Sequence, residues 1–297
     1  MKIAEKVAEH ISSQCIFKSR YLRVNHSNMH YYDEGVGSPV LFLHGVPTSA
    51  YLWRNIILPL KSFARCIAPD LIGMGKSDKP NISYCVSDHI AYIDQFIETL
   101  NLNNITLVMH GFGSIIGFDY ARRHEKNIKS LIFYESFIQP TETMDDLSLP
   151  VQQLATLLKH KEASYRAIVE QNYLVEKLLP NSVIRNLSED EMNHYREPFL
   201  TVESRKLLWQ YINDLPLQAG SSNINNLIRQ YSDWLQKTPI PKLMLYAIPG
   251  FVTTIKSLQW AREHINNIKL SELEDAMHLA QESMPDLFSD ALIKFLT

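Results

Sequence analysis

The sequence predicts an α/β protein built on a mostly parallel sheet, and three observations support this fold class. Short apolar runs, typical of buried strands, alternate with segments whose apolar residues recur at helical spacing. Loops that contain glycine follow several of these runs. The alternation stops after Glu135, and residues 138–215 contain several helical patterns and no convincing strand. We therefore expect parallel strands joined by helices, with a helical insertion over the carboxyl edge of the sheet.

Eight segments have the composition of strands, and most are short and rich in β-branched or aromatic residues. In chain order they are residues 17–24, 29–33, 39–43, 64–68, 107–110, 128–134, 242–246 and 268–273. Apolar residues at helical spacing predict the helices between them. These helices are expected at residues 51–60, 87–100, 112–120, 223–237, 256–264 and 284–296, and a short amphipathic or frayed helix at 1–16. The predicted core domain comprises residues 1–137 and 216–297, and residues 138–215 form the predicted helical cap.

The stretch from Leu107 to Ser114 is the centre of the predicted site. An apolar strand, a sharp turn flanked by small residues and a helix follow one another, which is the setting of a nucleophile elbow. Such a turn presents one side chain at the top of a parallel sheet. Gly111 occupies that position, and glycine has no side chain that could attack a substrate. The scaffold of a covalent hydrolase is therefore predicted without its attacking atom. Ser114 lies one helical turn further on and is expected to point away from the apex.

Composition excludes several classes of function. The chain of 297 residues is 45% hydrophobic and has a net charge of -3, so a nucleic-acid-binding surface is not expected. Three widely spaced cysteines lack the spacing of metal ligands and predict three buried, reduced thiols. Charged residues interrupt the apolar residues near the first methionine, and no apolar run is long enough to cross a membrane. We expect a cytoplasmic protein without a metal or cofactor, and both a monomer and a dimer are compatible with the sequence.

Four longer motifs carry a resemblance to a known family. Residues 44–55 have the sequence HGVPTSAYLWRN, residues 69–75 PDLIGMG, residues 194–199 HYREPF and residues 231–235 YSDWL. These motifs resemble the α/β-hydrolase superfamily and, more narrowly, the haloalkane dehalogenases and their relative Renilla luciferase. The resemblance extends from about residue 21 to residue 295. It implies an eight-stranded α/β-hydrolase fold with a helical cap.

The resemblance also implies a site of five residues. The family's nucleophile is an aspartate at the elbow, where this chain has Gly111. The general base is a histidine after the last strand, which matches His278, and the acid that orients it matches Glu135 in one branch of the family. Two side chains normally hold the leaving halide, an asparagine where this chain has Val46 and a tryptophan where it has Phe112. Three of the five positions therefore depart from the family pattern.

These departures argue against covalent dehalogenation and leave three hypotheses. The first is an enzyme in which His278, oriented by Glu135, removes a proton from an apolar small molecule. Backbone N–H groups at Val46 and Phe112 would stabilise the resulting oxyanion during elimination, isomerisation, cyclisation or cofactor-free oxygenation. The second is a catalytically silent protein that binds a small molecule, and the third is weak residual dehalogenase activity with water activated by His278.

Overall fold

The computed structural model describes residues 11–217 and 222–297, and an eight-stranded sheet forms its centre. The strands are β1 (Arg20–Val24), β2 (Ser27–Glu34), β3 (Pro39–Leu43), β4 (Arg65–Pro69), β5 (Ile105–Gly111), β6 (Ile128–Ser136), β7 (Lys242–Tyr246) and β8 (Ile268–Glu272). Their order across the sheet is β1-β2-β4-β3-β5-β6-β7-β8. β2 is antiparallel to both β1 and β4, and all other pairs are parallel. The predicted fold class is confirmed.

Helices connect the strands at the expected places. Those outside the insertion are α1 (Arg54–Leu60), α2 (Val86–Thr99), α3 (Phe112–Arg123), α8 (Asn223–Lys237), α9 (Ile255–His264), α10 (Ala280–Ser283) and α11 (Pro285–Leu296). Part of the helix predicted at residues 1–16 lies outside the described residues, which begin at residue 11. Residues 11–16 are not helical, so the prediction is wrong for them. The first strand begins at Arg20 rather than at Phe17.

Burial explains why the central strands were recognisable. All seven residues of β5 are buried, because this strand lies in the middle of the sheet with helices on both faces. β3 and β6, its two neighbours, are nearly as buried. Because β5 and β6 are parallel neighbours, their carboxyl ends meet at one edge of the sheet, and the elbow lies at that edge.

The described residues between β6 and β7 form helices joined by turns and loops. They contain α4 (Leu149–Leu158), α5 (Lys161–Tyr165), α6 (Glu189–Arg196), α7 (Val202–Asn213) and then α8, with shorter turns between them. Two segments, Arg166–Glu170 and Leu174–Leu178, are π-helical, a geometry frequent at functional sites. The described residues of this insertion contain no strand, as predicted. The division into a core of residues 1–137 and 216–297 and a cap of residues 138–215 remains a prediction.

A buried ion cluster joins the insertion to the core. Arg54 of α1 contacts Glu282 of α10 at 2.5 Å and Glu191 of α6 at 2.9 Å. Arg185 contacts Glu191 at 2.5 Å and Glu282 at 3.2 Å. The Tyr195 hydroxyl also donates to Glu282. Two arginines thus balance two glutamates within a region from which water is almost excluded, and the cluster spans sequence positions far apart.

Two further observations bear on the predictions from composition. Over the two described stretches, no helix is both long and apolar enough to cross a bilayer. All three cysteines are free thiols, but only Cys66 is buried, and burial raises its pKa to about 12. Cys15 and Cys85 are half-buried, so the prediction of three buried thiols is wrong for these two.

Candidate active site

The elbow at the end of β5 has the backbone conformation of a strained turn. Gly111 has φ 52° and ψ -124°, and α3 begins at the next residue. A β-carbon built on Gly111 would lie 3.6 Å from the Gly45 Cα and 4.0 Å from the His278 Cε1. These are ordinary van der Waals distances. The turn therefore has room for a β-carbon, and that carbon would stand beside the His278 imidazole.

Glu135 is placed by a β-bulge at the end of β6. His110 pairs with Tyr134 and Gly111 pairs with Ser136, so Glu135 is the extra residue between two successive pairs. Its φ of 51° is uncommon for a residue with a side chain. The side chain is fully buried. The bulge thus turns Glu135 inward at the carboxyl edge of the sheet, next to the elbow.

The loop after β7 surrounds the Glu135 carboxylate with backbone N–H groups. Phe251 and Val252 donate to Oε2 at 2.8 and 2.7 Å, and Thr253 donates to Oε1 at 3.1 Å. A β-carbon on Gly250 would lie only 2.4 Å from Oε1, so this close approach requires glycine. Three N–H donors stabilise the ionised form of a buried carboxylate. Glu135 is therefore held in one orientation as an acceptor.

His278 lies on the loop after β8, and the structure brings it together with Glu135. Its Nδ1–H donates to Glu135 Oε2 at 2.8 Å. The Phe251 ring lies 4.8 Å from the imidazole, centre to centre. Only 12% of the His278 side chain is exposed. Because Nδ1 carries the proton that Glu135 accepts, Nε2 of the neutral ring is free to act as a base.

Two neighbouring groups fix the backbone on which His278 stands. The His110 imidazole donates from Nε2 to the His278 carbonyl at 2.9 Å, and the Tyr134 hydroxyl donates to the carbonyl of Met277. Burial lowers the pKa of His110, and the nearby His278 lowers it further. His110 is thus a neutral donor that positions the loop.

Val46 and Phe112 line the same cavity as Gly111 and His278. Phe112 is buried, and its ring centre lies 4.6 Å from that of Tyr211 and 5.5 Å from that of His89. Its backbone N–H belongs to the first residue of α3 and has no partner one turn earlier in the helix. Neither side chain offers an N–H donor. Any donor to a ligand at these two positions must come from the backbone.

The cavity is small and mostly apolar. Its volume is about 40 Å³, whereas pockets for drug-sized ligands have roughly 300–1,000 Å³. Its remaining walls come from the insertion and from the loops at the carboxyl edge of the sheet: Pro47, Phe137, Leu154, Leu178, Leu179, Ser182, Ile212, Leu215, Phe251, Val252 and Leu279. Most of these side chains are aliphatic or aromatic. The arrangement suits proton transfer by His278 in a small, mostly apolar space.

Ser114 is not available as a nucleophile. Its hydroxyl donates to the Gly111 carbonyl at 2.6 Å and accepts from the Phe137 N–H at 3.1 Å. Ser114 therefore links the elbow to the chain after β6, which agrees with the sequence-based interpretation.

One functional element was missed from the sequence. The loop after β7, which runs from Ala247 to Thr253, binds the acid supplied by β6 through three backbone N–H groups. The available signal was the Pro249–Gly250 pair directly after a buried strand, which marks a tight turn with accessible backbone groups.

Comparisons with known proteins agree with this geometry. A family model described as the alpha/beta hydrolase fold matches residues 38–285. A haloalkane dehalogenase from Sphingobium indicum (strain B90A) is 36% identical over 286 residues, which cover 94% of this chain and 95% of that protein. A second haloalkane dehalogenase, from Mesorhizobium japonicum, is 34% identical over 273 residues, covering 91% of this chain and 88% of that protein.

Solved structures show the same relationship. The haloalkane dehalogenase DbeA from Bradyrhizobium elkani superposes with a TM-score of 0.90 at 30% identity, covering 94% of this chain and 97% of that one. The haloalkane dehalogenase DatA from Agrobacterium tumefaciens gives a TM-score of 0.88 at 29% identity, with coverages of 94% and 96%. The fold, the elbow and the extent of these matches show that the chain belongs to the haloalkane dehalogenase family of the α/β-hydrolase fold.

Proposed function

We propose that this family member lacks the nucleophile and the halide-binding side chains and acts instead as an enzyme with non-covalent base chemistry. His278, oriented by Glu135, removes a proton from a small, largely apolar molecule. The observation that carries this proposal is the 2.8 Å hydrogen bond between His278 Nδ1 and Glu135 Oε2, directly beside a residue without a side chain. A protein that only binds a ligand has no evident need for this pair.

Covalent dehalogenation requires groups that these positions do not offer. Displacement of a halide needs an attacking oxygen, and Gly111 supplies none. The departing halide needs N–H donors, because an anion released into an apolar pocket without them is strongly disfavoured. Val46 and Phe112 offer only hydrocarbon side chains at those positions. The relatives' dehalogenase activity is therefore not carried over to this chain.

The remaining groups suit a proton transfer. Nε2 of His278 accepts the proton, and Glu135 stabilises the imidazolium that forms. Backbone N–H groups of Val46 and Phe112 would stabilise an enolate or phenolate oxygen on the substrate. Elimination, isomerisation, cyclisation and cofactor-free oxygenation all begin with such a step. Because the cavity holds only about 40 Å³, a larger substrate enters by displacement of insertion residues such as Leu178 and Leu179.

A second candidate function is ligand binding without turnover. The mostly apolar lining of the cavity favours it, because none of the described lining residues carries a carboxylate or an ammonium group. Weak residual hydrolysis, with water activated directly by His278, is the third candidate.

The first experiment measures halide release from 1-bromo- and 1-iodoalkanes by the wild-type protein. We expect none above background, since both the attacking oxygen and the halide donors are absent. Release at about 1 per second or faster, abolished by His278→Ala, would show instead that the chain is a working dehalogenase.

The second experiment separates an enzyme from a binder. Small apolar molecules are screened by thermal shift, and each ligand found is then incubated with the protein and analysed for products by mass spectrometry. We expect product formation that His278→Ala abolishes and Glu135→Gln lowers, while the exposed His264→Ala serves as a matched control. Stabilising ligands that are never converted would favour the binding protein.

A further inference from the structure

We propose that the space beside Gly111 is a binding site for the head group of a small aliphatic carboxylate. The inference rests on the proposed absence of a nucleophile at the elbow, and it names the class of ligand that the site takes. The carboxylate lies next to Gly111 and His278, and its aliphatic part faces the leucines of the insertion.

The first argument is volume. A buried water molecule requires about 10–15 Å³ of cavity volume. The cavity of about 40 Å³ therefore has room for roughly three groups of that size. Formate and other carboxylate head groups have three heavy atoms. The nearest atoms to a β-carbon on Gly111 are 3.6 and 4.0 Å away, which are ordinary van der Waals distances, so a carbon-sized atom fits on the elbow side of the cavity. The head group therefore fits without movement of the backbone.

The second argument is charge. The Glu135 carboxylate is already occupied by three backbone N–H groups and by His278. His278 is the one titratable side chain among the described residues that line the cavity. When an anion enters with one proton, the proton resides on His278 and the net charge of the buried region does not change. Binding thus avoids the cost of an added, uncompensated charge.

The third argument is the set of donors. Protonated His278 offers Nε2–H, and Val46 and Phe112, whose backbone N–H groups would be further donors, line the same cavity. A carboxylate forms charge-assisted hydrogen bonds with protonated His278, whereas a neutral amide of the same shape carries no charge to pair with the imidazolium. A short alkyl chain extends beyond the present cavity and, like a larger substrate, enters by displacement of Leu178 and Leu179, whose aliphatic side chains it then contacts. The site should therefore prefer butyrate to butanamide.

The experiment titrates the wild-type protein with formate, butyrate and butanamide, and observes the ¹⁵N-labelled imidazole of His278 by NMR. A ligand of three heavy atoms binds with a dissociation constant of about 1 mM at best, so we expect formate to bind in the millimolar range and butyrate more tightly. Calorimetry in two buffers of different ionisation enthalpy should show uptake of about one proton per anion bound.

Variants at the elbow locate the site. Gly111→Asp supplies its own carboxylate and should weaken butyrate binding at least tenfold, and Gly111→Ala should weaken it less because it fills only part of the space. Gly37→Ala is the matched control: Gly37 also has a positive φ, and a β-carbon there meets no atom within 4 Å. Its titration should match that of the wild type.

Three results would overturn the inference: no saturable shift below about 100 mM anion, equal binding of butyrate and butanamide, or unchanged binding in both Gly111 variants. These outcomes are distinct from failure of the proposed function. Carboxylate binding without any turnover supports this site while removing the case for an enzyme. Halide release by the wild type removes the proposed function, whatever the titration shows.

Discussion

At the residue scale, Glu135 has an unfavourable backbone conformation, and the hydrogen bonds of its carboxylate offset the cost. A residue with a side chain held in an unfavourable backbone region costs on the order of 1–3 kcal/mol. At Glu135 the bulge is stabilised because the carboxylate accepts three backbone N–H groups and one imidazole N–H. Charge-assisted hydrogen bonds of this kind are about twice as strong as neutral ones. The position of His278 is thereby tied to β6 and to the loop after β7.

Restoring the family's residues at and around the elbow tests which groups dehalogenation needs in this chain. Gly111→Asp alone returns an attacking oxygen, for which the structure has room. Adding Val46→Asn and Phe112→Trp supplies the two side-chain donors of the family pattern, and we propose that His278 with Glu135 would activate water. We predict that the triple variant releases halide from 1-bromobutane measurably faster than the wild type. The gain should exceed the sum of the single changes, because such residues act as a unit.

Two controls accompany this experiment. A fourth change, His278→Ala, should remove the gained activity, and circular dichroism should confirm that the triple variant is folded. Overpacking is the main risk, since an indole replaces a phenyl group that already contacts Tyr211 and His89. An inert but folded triple variant would mean that the pocket has diverged beyond these three positions.

At the element scale, Lys242 joins three segments at the start of β7. Its buried ammonium group donates to the carbonyls of Thr238, Ile240 and Asn266 at 2.8–2.9 Å. These carbonyls belong to the end of α8, the entry to β7 and the turn before β8. Burial lowers the pKa of Lys242 to about 8, against the attraction of Glu125.

This lowered pKa predicts a gain in stability at alkaline pH. Below about pH 8 both the folded and the unfolded chain carry the charge, and the penalty of burial is fully present. As pH rises from 8 towards 10.5, the folded state loses the proton while the unfolded state keeps it, so the free energy of unfolding increases. Urea unfolding from pH 7 to pH 10 should show the wild type gaining stability relative to Lys242→Met. Parallel curves for the two proteins would contradict this.

Secondary structure was predictable where buried residues form a continuous run or recur at a regular spacing. The bounds of β3, β7 and α8 agree with the sequence-based ones, because each is a continuous apolar run or a regular amphipathic pattern. The bulge at Glu135 was not predictable in this way. It depends on pairing with β5 and on a loop more than 100 residues further along the chain.

At the scale of the whole molecule, the buried ion cluster holds the insertion on the core. Arg54 pairs with Glu282 and Glu191, and all three side chains are nearly inaccessible to water. Loss of one partner from such a cluster leaves buried charges without compensation and costs about 3–5 kcal/mol. We predict a loss of this size for Arg54→Met, measured by urea unfolding of the full chain.

Arg122→Met is the matched control for this prediction. Arg122 also pairs with a carboxylate, Asp119 at 2.9 Å, but its side chain is partly exposed, and Asp119 keeps a second partner in Arg123. The expected loss is below about 1 kcal/mol. Equal losses in the two variants would mean that the cluster does not contribute specifically to joining insertion and core.

The positions of the site residues were predictable from the sequence, whereas the volume of the cavity around them was not. Gly111 and Glu135 lie at the carboxyl ends of β5 and β6, and His278 follows β8, so their convergence at one edge of the parallel sheet follows from chain order. The volume of the cavity does not follow from the sequence. It depends on how side chains such as Leu178 and Ile212 pack from a helical insertion whose orientation is set by long-range contacts.

The conformation of Gly111 has a consequence for the stability reserve of the protein. Any residue with a β-carbon at φ 52° and ψ -124° is strained, by about 1–3 kcal/mol, whereas glycine is not. Gly111→Ala meets no steric clash, so its loss in free energy of unfolding should report this backbone term alone. Glycine therefore adopts this turn without strain, whereas a side chain here would lower the stability of the protein by that amount. A chain with glycine at this position has correspondingly more stability in reserve to tolerate substitutions in the surrounding pocket.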